Sequence, residues 1–376
     1  MVKYDVNKLK EMVEENLSNM FGVFLVDANV EQIYKACAVT VNDILRFMRR
    51  KFNHRVKEEK GRRVYYLSME FLIGRSLKNN LYNLELVSEF SSLLSSVGLT
   101  LDDLFFQEPD AGLGNGGLGR LGACYLDALA SNNYPAMGFS IRYEYGLFKQ
   151  KIIDAWQTEL PDVWLPGGSV WLTKRGDKTY NVRFCGNVHE TNINGEKRYL
   201  YENYTEVEAV PYDLMITGAN SEAISVLRLW KSQNIHDFDI TSFSHGDYQK
   251  AMQREIDAEL ISKVLYPGDD HEEGKELRLK QQYFLASASI QNIVKDHIRY
   301  YNDIHTLPDY VAIHINDTHP ALAIPELMRI LIDDYLLSWN DSWKIVIKVF
   351  SYTNHTVMAE ALESWSEDLV MKQLPR

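Results

Sequence analysis

Two short polar loops near the end of the chain carry the residue types best suited to chemistry. The first, 316–320 (NDTHP), follows an alternating apolar run at 311–315, and the second, 352–356 (YTNHT), follows a similar run at 345–349. Each loop places a histidine beside an Asp or Asn. Because a sugar hydroxyl both donates and accepts, such forked amides and carboxylates suit sugar recognition. The same residues could instead cap the helices that follow.

The two loops belong to a repeated pattern. We predict strands at 311–315 and 345–349, and helices at 324–337 and from Met358 onward. Two consecutive strand–loop–helix units indicate neighbouring parallel strands with right-handed crossovers, and ligands bind outside the carboxyl ends of such strands. A shared edge favours a binding site over simple capping. A metal site from His314, His319 and His355 is disfavoured, because His314 is expected on the face of the sheet.

A glycine-rich loop offers a second kind of chemistry. Gly114, Gly116 and Gly119 match GxGxxG and open a predicted helix, whose apolar face we assign to Leu118, Leu121, Tyr125 and Leu129. The segment 102–110 before it is polar, and no acidic residue follows at the expected distance, so a dinucleotide site is disfavoured. Backbone amides at a helix N-terminus favour phosphate. A phosphate cradle is the preferred interpretation, and a structural tight turn remains open.

Other segments predict the framework. Residues 1–60 have helical periodicity, 64–67 is a short β-type run, and 274–301 is one long helix. From about 170 to 212 the period changes to two, and Asn194-Gly195 predicts a hairpin turn. The acidic segment 266–274 (YPGDDHEEG) is, by itself, a solvated loop. Together these patterns predict an α/β protein with a β-rich insertion.

Composition limits the partners and the compartment. The net charge of −12 argues against nucleic acid as the main partner. Three widely spaced cysteines exclude a disulfide framework and indicate buried, reduced thiols. No signal peptide is evident, and no run approaches the roughly 18 apolar residues that would span a bilayer. We therefore expect a cytoplasmic protein.

Six segments resemble the glycogen (α-glucan) phosphorylase family, of bacterial type, in family order. They are 65–75 (YYLSMEFLIGR), 108–121 (EPDAGLGNGGLGRL), 138–146 (GFSIRYEYG), 274–280 (GKELRLK), 316–327 (NDTHPALAIPEL) and 352–356 (YTNHT). The resemblance runs from about residue 20 to the end. It implies the Rossmann-like N-terminal domain of a two-domain glycosyltransferase. It also implies the reaction, in which phosphate cleaves an α-1,4-glucan to glucose 1-phosphate with retention and with pyridoxal phosphate as cofactor.

The resemblance implies roles for the glycine loop. Gly116, Gly117 and Leu118 would line the cleft where cofactor, phosphate and sugar meet, and Asn115 lies in the same loop and would bind substrate. The cofactor-bearing lysine would lie in a C-terminal domain absent from this chain. The chain alone would then be inactive. A non-catalytic glycan-binding or dimerising role is the alternative.

The resemblance also implies roles for the polar loops. His355 and Asp317 would act on the glucosyl unit, with His319 on the sugar side, and the acidic loop would gate the site. Asp270 would bind substrate, and it stands where well-known members have an Asn that contacts a sugar hydroxyl. An Asp could accept a hydrogen bond from that hydroxyl but could not donate one.

The resemblance further implies a homodimer that binds α-glucan, phosphate and glucose 1-phosphate. Residues 1–60 would form a helical dimerisation or cap region, and 61–376 the Rossmann-like glucan-binding domain with a β-rich insertion at about 165–212. The first serine, Ser18, lacks a basic context, and Lys295-Asp296 replaces paired arginines of nucleotide-activated members. Neither phosphorylation nor nucleotide control is expected.

Overall fold

A computed structural model describes residues 4–165, 170–193, 196–359 and 362–376. Its α-helices are α1 (Val6–Phe21), α2 (Val30–Glu58), α3 (Ser76–Asn83), α4 (Val87–Ser95), α5 (Leu101–Phe105), α6 (Gly117–Ser131), α7 (Ile240–Ser244), α8 (Tyr248–Leu260), α9 (Glu272–Tyr301), α10 (Leu307–Tyr310), α11 (Ala323–Arg329), α12 (Trp339–Val349) and α13 (Glu367–Gln373). Its strands are β1 (Arg63–Leu67), β2 (Ala136–Ile141), β3 (Gly146–Ile153), β4 (Trp156–Asp162), β5 (Thr173–Lys174), β6 (Tyr180–Phe184), β7 (Asn187–Ile193), β8 (Glu196–Glu202), β9 (Thr205–Thr217), β10 (Ile224–Asn234), β11 (Val311–Asn316) and β12 (Phe350–Thr353).

The central sheet is parallel at one side and antiparallel at the other. Its order is β12-β11-β1-β2-β10-β9-β5, with β6 also paired to β9. Strands β12, β11, β1, β2 and β10 run parallel to one another, and β9 runs antiparallel to β10, β5 and β6. The predicted α/β class is confirmed. Strand β11 has a parallel neighbour in β12, but β12 is not the segment predicted as the second strand.

The N-terminal helices form as the periodicity predicts. Helix α2 begins with a capping box, in which the Asn29 side chain accepts from the Gln32 amide and the Gln32 side chain accepts from the Asn29 amide, both at 2.9 Å. One face of the helix is buried, at Ile33, Tyr34, Cys37, Val41, Ile44 and Leu45. Long helix α9 is likewise confirmed.

A buried ion pair fixes the register of β10 against β9. Arg228 and Asp213 are opposite residues of the two strands, each about 1 % exposed, and the guanidinium donates to the carboxylate at 2.7 and 2.8 Å. Burial alone would raise the pKa of Asp213, but Arg228, with Arg49 and Arg175 nearby, holds it below its ordinary value. The carboxylate therefore stays ionised and ties β9, β10 and α2 together.

The β-rich segment is confirmed as strands, and most of it continues the central sheet. Strands β5, β6 and β9 pair within that sheet, whereas β7 and β8 form a separate antiparallel hairpin. The residues Asn194 and Gly195, predicted to turn this hairpin, lie outside the described residues. A second hairpin, β3–β4, was not anticipated.

The strand predicted at Ile345, Ile347 and Val349 is wrong, because these residues lie in helix α12. Ser338 caps this helix by accepting from the Asp341 amide at 3.1 Å. Ile345 and Val349 fit a helical spacing as well as an alternating one, and α12 buries them while Ile347 is 56 % exposed. The strand β12 begins one residue later, at Phe350.

The helix predicted from Met358 onward is also wrong. Met358 and Ala359 are not α-helical, and the next helix is α13, capped by Ser366. The helix predicted at 324–337 is confirmed over α11, which continues as a π-helical turn at Ile330–Asp334.

The predicted apolar face of α6 is wrong as well. The helix buries Gly119, Gly122, Ala123, Leu126 and Ala130, whereas Tyr125 is exposed. The small residues face inward because the chain after β1 passes close to them. A Cβ at Gly119 would lie 3.1 Å from the Cβ of Glu70.

Two further findings concern the surface and the thiols. Within the described ranges, no helix combines the length and apolarity needed to cross a membrane. All three cysteines are free, but only Cys37 is buried; Cys124 is exposed and Cys185 is intermediate, which corrects the expectation of buried thiols.

Candidate functional site

The carboxyl ends of three parallel strands bring the polar loops together. In the register, Leu67 of β1 pairs with Ile315 of β11, and Asn316 pairs with Thr353 of β12. The chain leaves these strands through 68–70, 317–319 and 354–356. The structure therefore places the two predicted polar loops side by side at one edge, with a third loop beside them.

His355 contacts the neighbouring strand directly. Its Nε2 lies 2.5 Å from Oδ1 of Asn316, and the Asn316 side chain is fully buried. The Asn316 amide nitrogen donates to Ser68 Oγ at 3.0 Å. One asparagine thus joins the loop after β12 to the loop after β1.

Asp317 is held in a conformation that non-glycine residues seldom adopt. Its φ is 65°, its carboxylate accepts the amide of Thr318 at 2.8 Å, and its own amide donates to the Thr353 carbonyl at 2.9 Å. Asp317 is 8 % exposed. Left-handed backbone of this kind is concentrated at functional sites, where surrounding contacts over-determine it.

His319 faces the acidic loop. Its ring centroid lies 5.5 Å from that of Tyr266, and its Nδ1 is buried with no hydrogen-bond partner among the described residues. His314, by contrast, uses both ring nitrogens on the face of the sheet, at 2.9 Å from Ser351 Oγ and 2.7 Å from Thr353 Oγ1. Burial, with His355 nearby, lowers the pKa of His314. Within the described ranges, no cluster of three or more His, Cys, Asp or Glu is arranged to hold a metal ion.

The glycine loop is fastened to the chain after β1 by a buried carboxylate. Glu70 is 5 % exposed and accepts the amide of Asn115 at 3.0 Å. The Phe71 amide donates to Leu113 and the Leu72 amide donates to Gly119, at 2.7 and 2.9 Å. Because these bonds hold the two segments close together, a Cβ at position 114 or 119 would lie only 3.1–3.3 Å from atoms of Glu70 and Leu72, so packing favours glycine there.

Gly116 and Gly117 have a different environment. A Cβ at either position would meet no atom within 4 Å, so packing does not demand glycine there. Gly116 is the N-cap of α6 and provides no side-chain cap, so the first amides of the helix, from Gly117 and Leu118 onward, lack a capping side chain. Open backbone amides at the start of a 15-residue helix fit a phosphate group.

The acidic loop joins the site through Tyr266. Burial raises the pKa of Tyr266 well above its ordinary value, and the neighbouring Glu70 carboxylate, which accepts from its hydroxyl, raises it further. Arg278 of α9 donates to the Pro267 carbonyl at 2.8 Å and pairs with Asp269 at 2.9 Å. The start of the loop is therefore tied both to the glycine loop and to α9.

Asp270 is separate from this framework. Its side chain is 89 % exposed, and its carboxylate lies 3.9 Å from Nε2 of His271. His271 in turn caps α9 by accepting from the Gly274 amide at 3.0 Å. The structure therefore places Asp270 on the solvent side of the loop.

Four residues of this framework were given no individual role by the sequence analysis. They are Ser68, Glu70, Tyr266 and Asn316, whose hydrogen bonds hold the neighbouring loops. A polar Ser-x-Glu immediately after a buried strand was the available signal for the first two. Nothing local marked Tyr266, because its partner lies almost two hundred residues earlier.

Comparisons with known proteins agree with this geometry. The family model for carbohydrate phosphorylase matches residues 94–376. The chain is 43 % identical over 375 residues to glycogen phosphorylase of Chlamydia trachomatis, which covers all of this chain and 46 % of that relative. It is 46 % identical over 324 residues to glycogen phosphorylase of Bacillus subtilis, covering 86 % of this chain and 40 % of that relative.

A plant relative shows the same partial coverage. The chain is 48 % identical over 319 residues to the alpha-1,4 glucan phosphorylase L-1 isozyme, chloroplastic/amyloplastic, of Solanum tuberosum, covering 84 % of this chain and 33 % of that relative. The chain thus spans less than half the length of these curated relatives. With the family model matching well over half of the residues, this chain belongs to the carbohydrate phosphorylase family.

Proposed function

We propose that this chain is the glucan-binding part of an α-1,4-glucan phosphorylase. In the reaction, inorganic phosphate attacks the anomeric carbon of the terminal glucose, and the bond to the next sugar breaks. The leaving oxygen takes a proton, and glucose 1-phosphate departs with retained configuration. The observation that carries the proposal is the attachment of a phosphate-type glycine loop, through Glu70, to a strand edge that bears His355 and Asp317.

The strand edge serves the sugar. We assign His355 and Asp317 to the glucosyl unit at the reacting end, because both lie just beyond the carboxyl ends of parallel strands, where ligands of such sheets bind. His319 takes a substrate role beside them, supported by its unpartnered buried Nδ1. Asn115 binds substrate from the glycine loop. Asp270 contacts it when the acidic loop closes, as an acceptor only.

The glycine loop serves the phosphate-bearing groups. The amides of Gly116, Gly117 and Leu118 are open at the start of α6 and would hold the phosphate of pyridoxal phosphate or of the substrate. When bound, the cofactor supplies a phosphate that relays a proton to the substrate phosphate. We assign the lysine that binds the cofactor to the part of the full-length relatives that this chain does not span. This chain, incubated with pyridoxal phosphate and then reduced with borohydride, should carry no specifically modified lysine by mass spectrometry.

The phosphorylase assignment extends to the domains, oligomeric state, compartment and regulation of the protein. We assign 1–60 to a dimerisation or cap region and 61–376 to the glucan-binding domain, with the β-rich part at about 165–212. The working form is a cytoplasmic homodimer without phosphorylation or nucleotide control. The last point is supported by Asp296, which pairs with Lys178 at 2.7 Å, where a nucleotide-activated relative would present an arginine.

The test uses the full-length protein that carries this sequence. Incubation with glycogen, phosphate and pyridoxal phosphate should release glucose 1-phosphate. His355→Ala should lower kcat/KM roughly 10- to 100-fold, the loss expected for one hydrogen bond that matters in the transition state. His189→Ala is the matched control, because His189 is exposed on the separate β7–β8 hairpin, where its Nε2 lies 3.9 Å from Glu202.

Two results would contradict the proposal. Failure of the loaded full-length protein to release glucose 1-phosphate would remove the phosphorylase assignment. Glucan binding without phosphorolysis would instead support the alternative of a non-catalytic glycan-binding or dimerising protein.

A further inference from the structure

A chain of hydrogen bonds runs from His355 into the interior. His355 Nε2 meets Asn316 Oδ1 at 2.5 Å, and Asn316 Nδ2 meets Ser68 Oγ at 3.0 Å. Ser68 Oγ lies 2.9 Å from the Glu70 carbonyl oxygen and 3.2 Å from the Glu70 amide. Asn316 and Ser68 are both completely buried, so water does not compete for the bond between them, whereas His355 itself is exposed.

The donor and acceptor of each hydrogen bond in this series follow from its inner end, at Ser68 and Glu70. Two oxygens, Ser68 Oγ and the Glu70 carbonyl, lie within hydrogen-bond distance, and only the hydroxyl can donate between them. With its one proton so engaged, Ser68 Oγ accepts from its other partners. Asn316 must therefore turn its NH2 group toward Ser68.

The outer end is then determined as well. With the NH2 of Asn316 facing Ser68, its carbonyl oxygen faces His355. A carbonyl oxygen only accepts, so His355 Nε2 must carry a proton. In a neutral imidazole one nitrogen donates and the other accepts, which leaves Nδ1 as a lone-pair acceptor.

We propose that Asn316 is a positioning residue that holds His355 in the Nε2–H tautomer, so that Nδ1 accepts a hydrogen bond from a hydroxyl of the bound sugar. The identity of the donor as a sugar hydroxyl rests on the proposed function, whereas the tautomer rests on the hydrogen bonds alone. A carbonyl oxygen or a fluorine at the same place on the ligand could not donate and would bind more weakly.

The same chain links sugar recognition to the phosphate loop. The Glu70 main chain anchors Ser68, and the Glu70 side chain accepts the amide of Asn115. Glu70 therefore takes part both in the hydrogen bonds that orient His355 and in the attachment of the glycine loop, which the Phe71 and Leu72 amides also hold.

The tautomer can be measured directly. Long-range 1H–15N correlation spectra of the chain, with 15N-labelled histidine, distinguish the two neutral tautomers, and the His355 ring is assigned by its loss in His355→Gln. We expect neutral His355 as the Nε2–H tautomer. Finding Nδ1–H, or an even mixture, in the unmodified protein overturns the proposal.

Two variants and one control separate positioning from general stability. Ser68→Ala frees Asn316 to turn over, and should lower the ratio of the Nε2–H to the Nδ1–H tautomer roughly fivefold, the worth of one lost neutral hydrogen bond. Asn316→Ala removes the acceptor itself and should have at least as large an effect. Ser351→Ala disturbs His314 on the neighbouring strand and should leave His355 unchanged. An unchanged His355 tautomer in folded Ser68→Ala and Asn316→Ala contradicts the proposed role of Asn316.

The acceptor role is tested with glucose and its singly deoxy and deoxyfluoro derivatives. The relevant hydroxyl is the one whose removal weakens binding in the unmodified protein but not in His355→Ala. Replacing that hydroxyl by fluorine should weaken sugar binding roughly fivefold, as much as replacing it by hydrogen, because fluorine accepts but does not donate a hydrogen bond. Full binding of the fluoro derivative there overturns the acceptor assignment. If no such position exists while the Nε2–H tautomer is observed, the sugar contact of the proposed function fails and the role of Asn316 stands.

Discussion

The glycine loop supports a prediction that separates packing from ligand binding within three residues. Gly117 and Gly119 both lie in the first turn of α6, and both belong to the same motif. An alanine methyl at 117 would meet nothing within 4 Å, whereas at 119 it would lie 3.1 Å from two Glu70 atoms and 3.2 Å from the Leu72 amide nitrogen. Alanine substitution should therefore have opposite effects on stability at the two positions.

The magnitudes follow from these contacts. Replacing glycine by alanine in a helix stabilises it by up to about 1 kcal/mol. Gly117→Ala should keep that gain. At Gly119 the gain is offset by overpacking of about 1–3 kcal/mol, because the opposing chain is held by the Leu72–Gly119 and Asn115–Glu70 hydrogen bonds. The two variants should therefore differ by about 1–3 kcal/mol in the free energy of unfolding, from the same overpacking.

Urea unfolding of both variants measures this difference, and phosphate titration of the full-length variants measures the functional side. Gly117→Ala should weaken phosphate binding while raising stability, because its methyl stands beside the open amides at the start of α6. A Gly117→Ala protein as destabilised as Gly119→Ala would refute the packing argument. A stable Gly117→Ala protein with unaltered phosphate affinity would refute the cradle.

Two further predictions concern buried charges. Burial raises the pKa of Glu108 from 4.5 to about 7. The stability that the protonated side chain contributes is therefore complete below pH 4.5 and is lost as the pH rises through 7, a loss of about 3 kcal/mol in the free energy of unfolding. Urea unfolding of Glu108→Gln at a series of pH values should lack this loss. Arg228→Met removes the two short guanidinium bonds to the buried Asp213 carboxylate, whose remaining partners are Arg49 at 3.3 Å and Arg175 at 3.6 Å, and should cost about 3–5 kcal/mol in urea unfolding. Arg46→Ala removes an exposed pair with Asp43 and should cost less than about 1 kcal/mol. Equal costs for the two arginine variants would show that burial does not set the value of these pairs.

Local pattern predicted elements wherever one periodicity dominated. Helices α2 and α9 and strands β1 and β11 were predicted because each has a long or clean apolar repeat. The α12 segment failed because Ile345 and Val349 satisfy both a two-residue and a four-residue spacing. The structure has the helix: Ser338 is its N-cap, and burial at 345, 346 and 349 with exposure at 347 and 348 follows the helical period.

The face of α6 failed for a different reason. Sequence reasoning assigns burial to large apolar side chains, but here the chain after β1 lies close to Gly119 and Gly122, so small residues form much of the buried face. Close approach of backbones depends on where the neighbouring segment runs. That path is not encoded within the helix itself.

For the candidate site, too, some features follow from the sequence and others from the tertiary structure. The sequence by itself determined which residues could meet a sugar or a phosphate, because the polar loops and the glycine motif are contiguous and chemically distinctive. Only the tertiary structure decided how they are held. The bonds from His355 through Asn316 to Ser68 join positions up to 248 residues apart, and Glu70 meets Asn115 across 45. Such partners are chosen by strand order and loop path, so the tautomer of His355 and the seat of the glycine loop follow from the fold.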